Sequence, residues 1–174
     1  KIWMYYGNSD CSNQEDTANT WDAHYLGVWH MDQLDPPDST SNNFDGVSEG
    51  SQTTATGKMG TALNFDGNND EVNLGAVGNV TTSITISAWV KVSSSENTYG
   101  AVLEKGDFNP NVGHYGLYST ADWLAGDESC FQIAELPDGV DDEIQGSDLR
   151  YNKWCYLVGT WDNSTGHIIL YENG

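Results

Sequence analysis

Positive charge is what this sequence has least of. Six Lys and Arg stand against 26 Asp and Glu in 174 residues, a formal net charge of −20 and a sequence pI near 4.1. Affinity for a phosphate backbone comes largely from clustered Lys and Arg that release counterions. Nucleic acid is therefore excluded as a partner held by charge, and anionic membrane surfaces are excluded with it. Hydrophobic runs are short as well. No stretch of 18 or more apolar residues occurs, so no membrane insertion through an apolar helix is expected. No basic, then apolar, then small-residue leader opens the chain, so an export signal is expected outside it. Helical periodicity is nearly absent too.

What the chain does have is enough to build a core. Charged residues make up 18% and apolar residues 37%, with seven Trp and nine Tyr, so the acidity does not signal disorder. The length suits one domain, since a single β-sandwich runs to roughly 200–250 residues. Of the acids, 17 are Asp and 9 are Glu, and many Asp sit beside Gly, Asn or Ser, which is turn chemistry. A solvated acidic surface, calcium-binding loops and adaptation to high salt all fit this composition, which alone does not separate them.

Period-two alternation recurs in place of helical spacing. Over Ser83 to Val92, Ile84, Ile86, Ala88, Val90 and Val92 fall on one face, and Thr85, Ser87, Trp89 and Lys91 on the other. Similar short runs appear at Ile2 to Tyr6, Leu26 to Met31, Leu63 to Phe65, Glu71 to Leu74, Ala101 to Lys105, His114 to Tyr118, Cys130 to Glu135, Cys155 to Trp161 and His167 to Glu172. Gly, Asn, Asp and Ser clusters separate them. The pattern predicts an all-β fold, an antiparallel two-sheet β-sandwich or jelly roll, with Pro36 and Pro37 in a loop. Asn173-Gly174 after an alternating run is a strong hairpin signal. A second strand is then expected from beyond the chain or from another segment.

Chemical motifs are sparse. Gly46-Val47-Ser48-Glu49-Gly50 matches the nucleophile-elbow pattern but lacks the flanking strand and helix that the elbow requires. His24, His30, His114 and His167 show no zinc-ligand spacing. A glycosidase needs two carboxylates flanking one bond, whereas Asp138, Asp141, Asp142 and Glu143 sit beside Pro137 and Gly139 and read as loop. No enzymatic activity is expected. Hard cations want six to eight oxygens, which makes Asp38, Asn42, Asn43 and Asp45 candidate calcium ligands. Asp66 to Asp70 is a lesser candidate, because Glu71 stands where an EF-hand requires Gly. Turn-forming Asx residues account for both loops without metal. Cys130 and Cys155 lie in two predicted strands and form a cross-strand disulfide if those strands are neighbours; otherwise both are buried thiols, and Cys11 is the odd one out. Asn79 and Asn163 each begin an N-glycosylation sequon.

Several strings together resemble the LamG-like, or concanavalin A-like, jelly roll of bacterial and archaeal surface proteins. They are Gly27-Val28-Trp29-His30-Met31-Asp32, Asp38-Ser39-Thr40-Ser41-Asn42, Gly57-Lys58-Met59-Gly60-Thr61-Ala62-Leu63-Asn64-Phe65-Asp66-Gly67 and Ile84-Thr85-Ile86-Ser87-Ala88-Trp89-Val90-Lys91. Later come Trp154-Cys155-Tyr156-Leu157-Val158-Gly159-Thr160-Trp161-Asp162 and Ile169-Leu170-Tyr171-Glu172-Asn173-Gly174. The resemblance covers residues 26–174. Residues 1–25 resemble the terminal strand and linker of a preceding small β domain. It implies two packed antiparallel sheets, often one structural calcium with the Asp38 loop as its acidic loop, and further strands after the Asn-Gly turn. It also implies a noncatalytic recognition or adhesion module, extracellular or at the cell surface, whose partner is a glycan or a surface protein. The alternative is a structural block of a surface filament or layer, completed by a strand from a neighbouring copy. A sugar site needs exposed aromatics with polar groups nearby, and Trp89 and Trp123 are the candidates.

Overall fold

The computed structural model describes residues 7–12, 16–78, 80, 82–93, 100–106, 114–120, 128–134, 142–149 and 151–174. The strand expected at Ile2 to Tyr6, the sequon residue Asn79, the candidate Trp123 and the acids Asp138 and Asp141 lie outside them. Among the described residues, regular structure begins with α1, a single helical turn at Thr17–Thr20. Asp16 caps it by accepting the backbone N–H of Asn19, the usual way an early helical donor is satisfied.

The remaining elements are strands: β1 (Val47–Glu49), β2 (Thr53–Thr56), β3 (Thr61–Asn64), β4 (Glu71–Asn73), β5 (Ser83–Val90), β6 (Gly100–Lys105), β7 (His114–Thr120), β8 (Glu128–Ala134), β9 (Asp142–Asp148), β10 (Cys155–Asp162) and β11 (His167–Glu172). Among the described residues they form a three-stranded sheet β11-β10-β5, a four-stranded sheet β6-β7-β8-β9, and two ribbons, β1-β4 and β2-β3. All pairings are antiparallel. The all-β antiparallel fold therefore stands.

The two larger sheets share one core. Ile86 of β5 and Cys155, Leu157 and Trp161 of β10 join Tyr115 and Leu117 of β7, Phe131 and Ile133 of β8, and Leu149. Side chains alternate across a strand, so the odd-numbered residues of β10 enter this core and the even-numbered ones face outward. Gly159 is small for a reason: a Cβ there would collide with the ring of Phe131, so the opposing sheet reaches backbone contact at that point.

A polar tie spans the same interface. The Glu172 carboxylate on β11 accepts hydrogen bonds from Ser129 Oγ on β8 (2.5 Å), from the Ser147 backbone N–H on β9 (2.9 Å) and from Ser147 Oγ. Gly146 leaves room for it, because a Cβ there would strike the carboxylate. Partial burial raises the pKa of Glu172, but the three donors outweigh it, and the group titrates below the usual glutamate range.

Three expectations are corrected and two strands are added. Leu26 to Met31 is not a strand. Trp29 makes an isolated bridge with Asp38, while the Val28 N–H is taken by the Asp38 side chain and Met31 turns the chain with φ +55°. Asp142 and Glu143 are not loop but open β9, whose pairing to β8 overrides their turn-like composition. The short polar strands β1 and β2 were not anticipated. Finally, Cys130 and Cys155 form no disulfide. Their strands belong to different sheets, and both are buried free thiols. Burial, with the Glu143 carboxylate, pushes Cys130 up to about 12. Burial and Glu172 raise Cys155 against a hydrogen bond from Asn173, so both stay protonated and unreactive.

Candidate functional site

The outer faces of the two main sheets differ. On the four-stranded sheet the outward row is itself buried, with His114 at 1%, Tyr118 and Cys130 at 0% and Gln132 at 8% exposure. Tyr118 folds back over Gly116, where a Cβ would meet its ring, and its hydroxyl lies 3.0 Å from His114 Nε2. On the three-stranded sheet the outward face is open. Register places Trp89 beside Tyr156, Ser87 beside Val158 and Tyr171, and Thr85 beside Thr160 and Ile169. Trp89 is 39% exposed, Ile169 39% and Tyr171 44%.

One end of this face is aromatic. The Trp89 and Tyr156 ring centroids are 5.2 Å apart with planes tilted by 35°, within the range where aromatic pairs attract. Asn173 fixes the backbone of Tyr156: the Tyr156 N–H donates to Asn173 Oδ1 at 3.2 Å, and the Asn173 N–H donates to the Tyr156 carbonyl at 2.8 Å. Asn173 manages both by taking φ +63°, which Asn tolerates better than most residues. Just before β10, Trp154 carries the Lys91 ammonium 5.5 Å from its ring centroid.

The β2–β3 hairpin supplies the remaining part. Thr56 pairs with Thr61, leaving Gly57-Lys58-Met59-Gly60 as the turn. Gly57 donates its N–H to the Gly60 carbonyl, and Gly60 adopts φ +60°. The turn extends Lys58 until its Nζ lies 4.5 Å from the Trp89 centroid, a cation–π contact worth about 0.5–1 kcal/mol at an exposed site. Trp89 is thus where sequence reading placed it, on the face away from Ile84 and Ile86. Tyr156, Trp154, Lys58 and Lys91 were not singled out. For Tyr156 the signal was present, since alternation around Cys155, Leu157, Gly159 and Trp161 already sends it outward.

The residues expected to bind calcium are held otherwise. Asp38 is buried, and both carboxylate oxygens are used. Oδ1 accepts the N–H of Val28 (3.0 Å) and Thr40 (2.9 Å); Oδ2 accepts Thr40 Oγ1 (2.8 Å) and the Phe44 N–H (3.1 Å). Burial raises the Asp38 pKa, and these four donors more than offset it. Asp45 Oδ1 accepts the Asp38 N–H. The Asn42 amide donates to the carbonyls of Tyr25 and Leu26, and that of Asn43 to Ser41. Trp29 closes the loop by donating its indole N–H to the Phe44 carbonyl at 2.7 Å. A calcium ion wants six to eight oxygen lone pairs, whereas Asp38 has given its own to protein donors. Asp38 is thus the hydrogen-bonded hub of this loop, with both of its oxygens engaged by protein donors. The second loop is built likewise, with Asp70 accepting the N–H groups of Ser51 and Asp66.

Catalytic geometry is not assembled among the described residues. Asp142 and Glu143 are consecutive on β9 and so face opposite sides of the sheet, and Glu143 accepts from Gln145. Ser48 of the elbow-like string lies on β1, exchanging hydrogen bonds with Asp35 through its Oγ and its N–H. Asn163 is exposed in the β10–β11 turn.

The family model of the concanavalin A-like lectin/glucanases superfamily, laminin G type, matches residues 66–174. The chain belongs to this family. No curated protein and no solved structure matches it. In this laminin G-like chain the matched part contains β4 to β11, including Trp89, Trp154 and Tyr156. The β1–β4 ribbon joins residues before the match to a strand within it. The family's description names both lectins and glucanases, so its breadth leaves the choice of function to the site.

Proposed function

We propose that this chain is a noncatalytic recognition module of an exported surface protein, binding carbohydrate on the outer face of its three-stranded sheet. The observation that carries the reading is the aromatic end of that face, where Trp89 of β5 stands beside Tyr156 of β10 and Trp154, just before β10, lies under the Lys91 ammonium. Sugar rings bind by laying their C–H faces on aromatic rings while polar groups nearby take the hydroxyls. Here Ser87, Thr85 and Thr160 continue the same face, and the Asn173 side chain borders it. Concave catalytic geometry is not needed for such a role, and the fold alone does not decide it. No step of the reading passes through a metal.

The test is affinity electrophoresis in gels containing neutral or acidic polysaccharides, comparing the native chain with Trp89→Ala and Tyr156→Ala. Either substitution removes one stacking partner and is expected to weaken retardation about tenfold, the effect of losing roughly 1.4 kcal/mol. Both side chains lie on the outer face, so the fold survives, as far-UV circular dichroism will show. Retardation unchanged in both variants contradicts the reading.

A further inference from the structure

The scarce cations are not scattered. Of the four described Lys residues, Lys58 lies over Trp89 and Lys91 over Trp154, and Lys153 is exposed in the turn immediately before Trp154. Only Lys105 is elsewhere, donating to the Val77 carbonyl. In a chain with 26 acids, lysines are expected to find carboxylates. Yet among the described residues none of these lysines forms an ion pair, the one pair being His24 with Asp22.

The outward face itself is sorted by charge. Along β5, β10 and β11 its residues are Ser, Thr, Trp, Tyr, Val, Ile and His, and its one carboxylate is Asp162, paired with Ser83 at the far end. From Lys91 to Ser83 is eight residues, about 27 Å at strand rise. That exceeds the Debye length of about 8 Å at physiological ionic strength. At the aromatic end, the Lys58 and Lys91 ammonium groups have aromatic rings and, among the described residues, no carboxylate as their ion-pair partner. A neutral sugar gains little from a cation parked on the ring it needs. An anionic group gains directly, by drawing the ammonium off the ring and opening the ring to the sugar.

From this we infer that the ligand is an acidic polysaccharide, its carboxylate or sulfate groups held by Lys58 and Lys91 while its rings lie on Trp89, Tyr156 and Trp154. The inference rests on the recognition reading above and adds the ligand's charge to it.

The experiment measures binding of the native chain, Lys58→Gln, Lys91→Gln, the double lysine variant and Trp89→Ala to two matched polymer pairs. The pairs are polygalacturonate with its methyl-esterified form, and dextran sulfate with dextran. The expected result is binding to at least one charged member and not to its neutral partner. Each lysine variant should weaken it about three- to fivefold, the range of an exposed ion pair, and Trp89→Ala should weaken it further. Binding to polygalacturonate alone identifies a carboxylate, and binding to dextran sulfate alone a sulfate. Equal binding to charged and neutral members, lost in Trp89→Ala but not in the lysine variants, overturns the acidic ligand and leaves the aromatic site standing. Binding indifferent to all the variants, or no binding to any of the four polymers, overturns both.

Discussion

Asp38 shows how much one carboxylate can organise. It ties the backbone of Val28, Thr40 and Phe44 together and takes the Thr40 hydroxyl, joining three stretches of chain that have almost no ladder between them. Replacing it by Ala strands those donors, and losing hydrogen bonds to a charged acceptor costs about 1.5–3 kcal/mol. Asp38→Ala is therefore expected to lower Tm by about 5–10 °C. Calcium at about 1 mM is expected to leave the native Tm where chelator leaves it, because a ligand raises the midpoint only if it binds the folded state. A calcium-dependent rise of several degrees would show that the ion displaces the donors. The Asp, Ser, Thr and Asn content of this loop was legible in the sequence. Whether the carboxylate faces N–H groups or a cation was not, since both uses call for the same residue types at the same turn.

At the scale of the element, β11 is held on one edge by β10 and across the sandwich by Glu172. The native carboxyl titrates below its ordinary range. Its ionised form therefore contributes stability that is fully present above the unfolded pKa of about 4.3 and is lost as pH falls through the lower folded value. Glu172→Gln is expected to melt below the native chain at pH 7, with the gap narrowing as pH falls below the unfolded value and through the lower folded one. A gap that does not change with pH would remove Glu172 as the tie. The β5 strand was readable because five apolar residues alternate without interruption. The β9 strand was not, since it has one large apolar residue, Ile144, among acids and a glycine, and its partner β8 makes it a strand. Cys130 and Cys155 misled for a related reason: alternation shows which face a residue takes within its strand, and not which sheet the strand joins.

For the molecule as a whole, the proposed recognition face is chosen by the contrast between the two outer faces, one with Tyr118 and Cys130 themselves buried, the other open. The open face is assembled from a turn near residue 58, a strand near 89 and another near 155. Its members were visible singly in the sequence, but their convergence depends on the β5–β10 register and the reach of one hairpin. The net charge of −20, which excludes polyanions bound without specificity, makes the few lysines at the aromatic end informative. The most direct test follows indole N–H signals in heteronuclear NMR while polygalacturonate or dextran sulfate is added to the uniformly labelled chain. The signals of Trp89 and Trp154 are expected to move in a saturable way, while those of Trp29, bonded to Phe44, and Trp161, 3% exposed in the core, stay in place. Stationary Trp89 and Trp154 signals with a bound ligand would contradict the proposed recognition face.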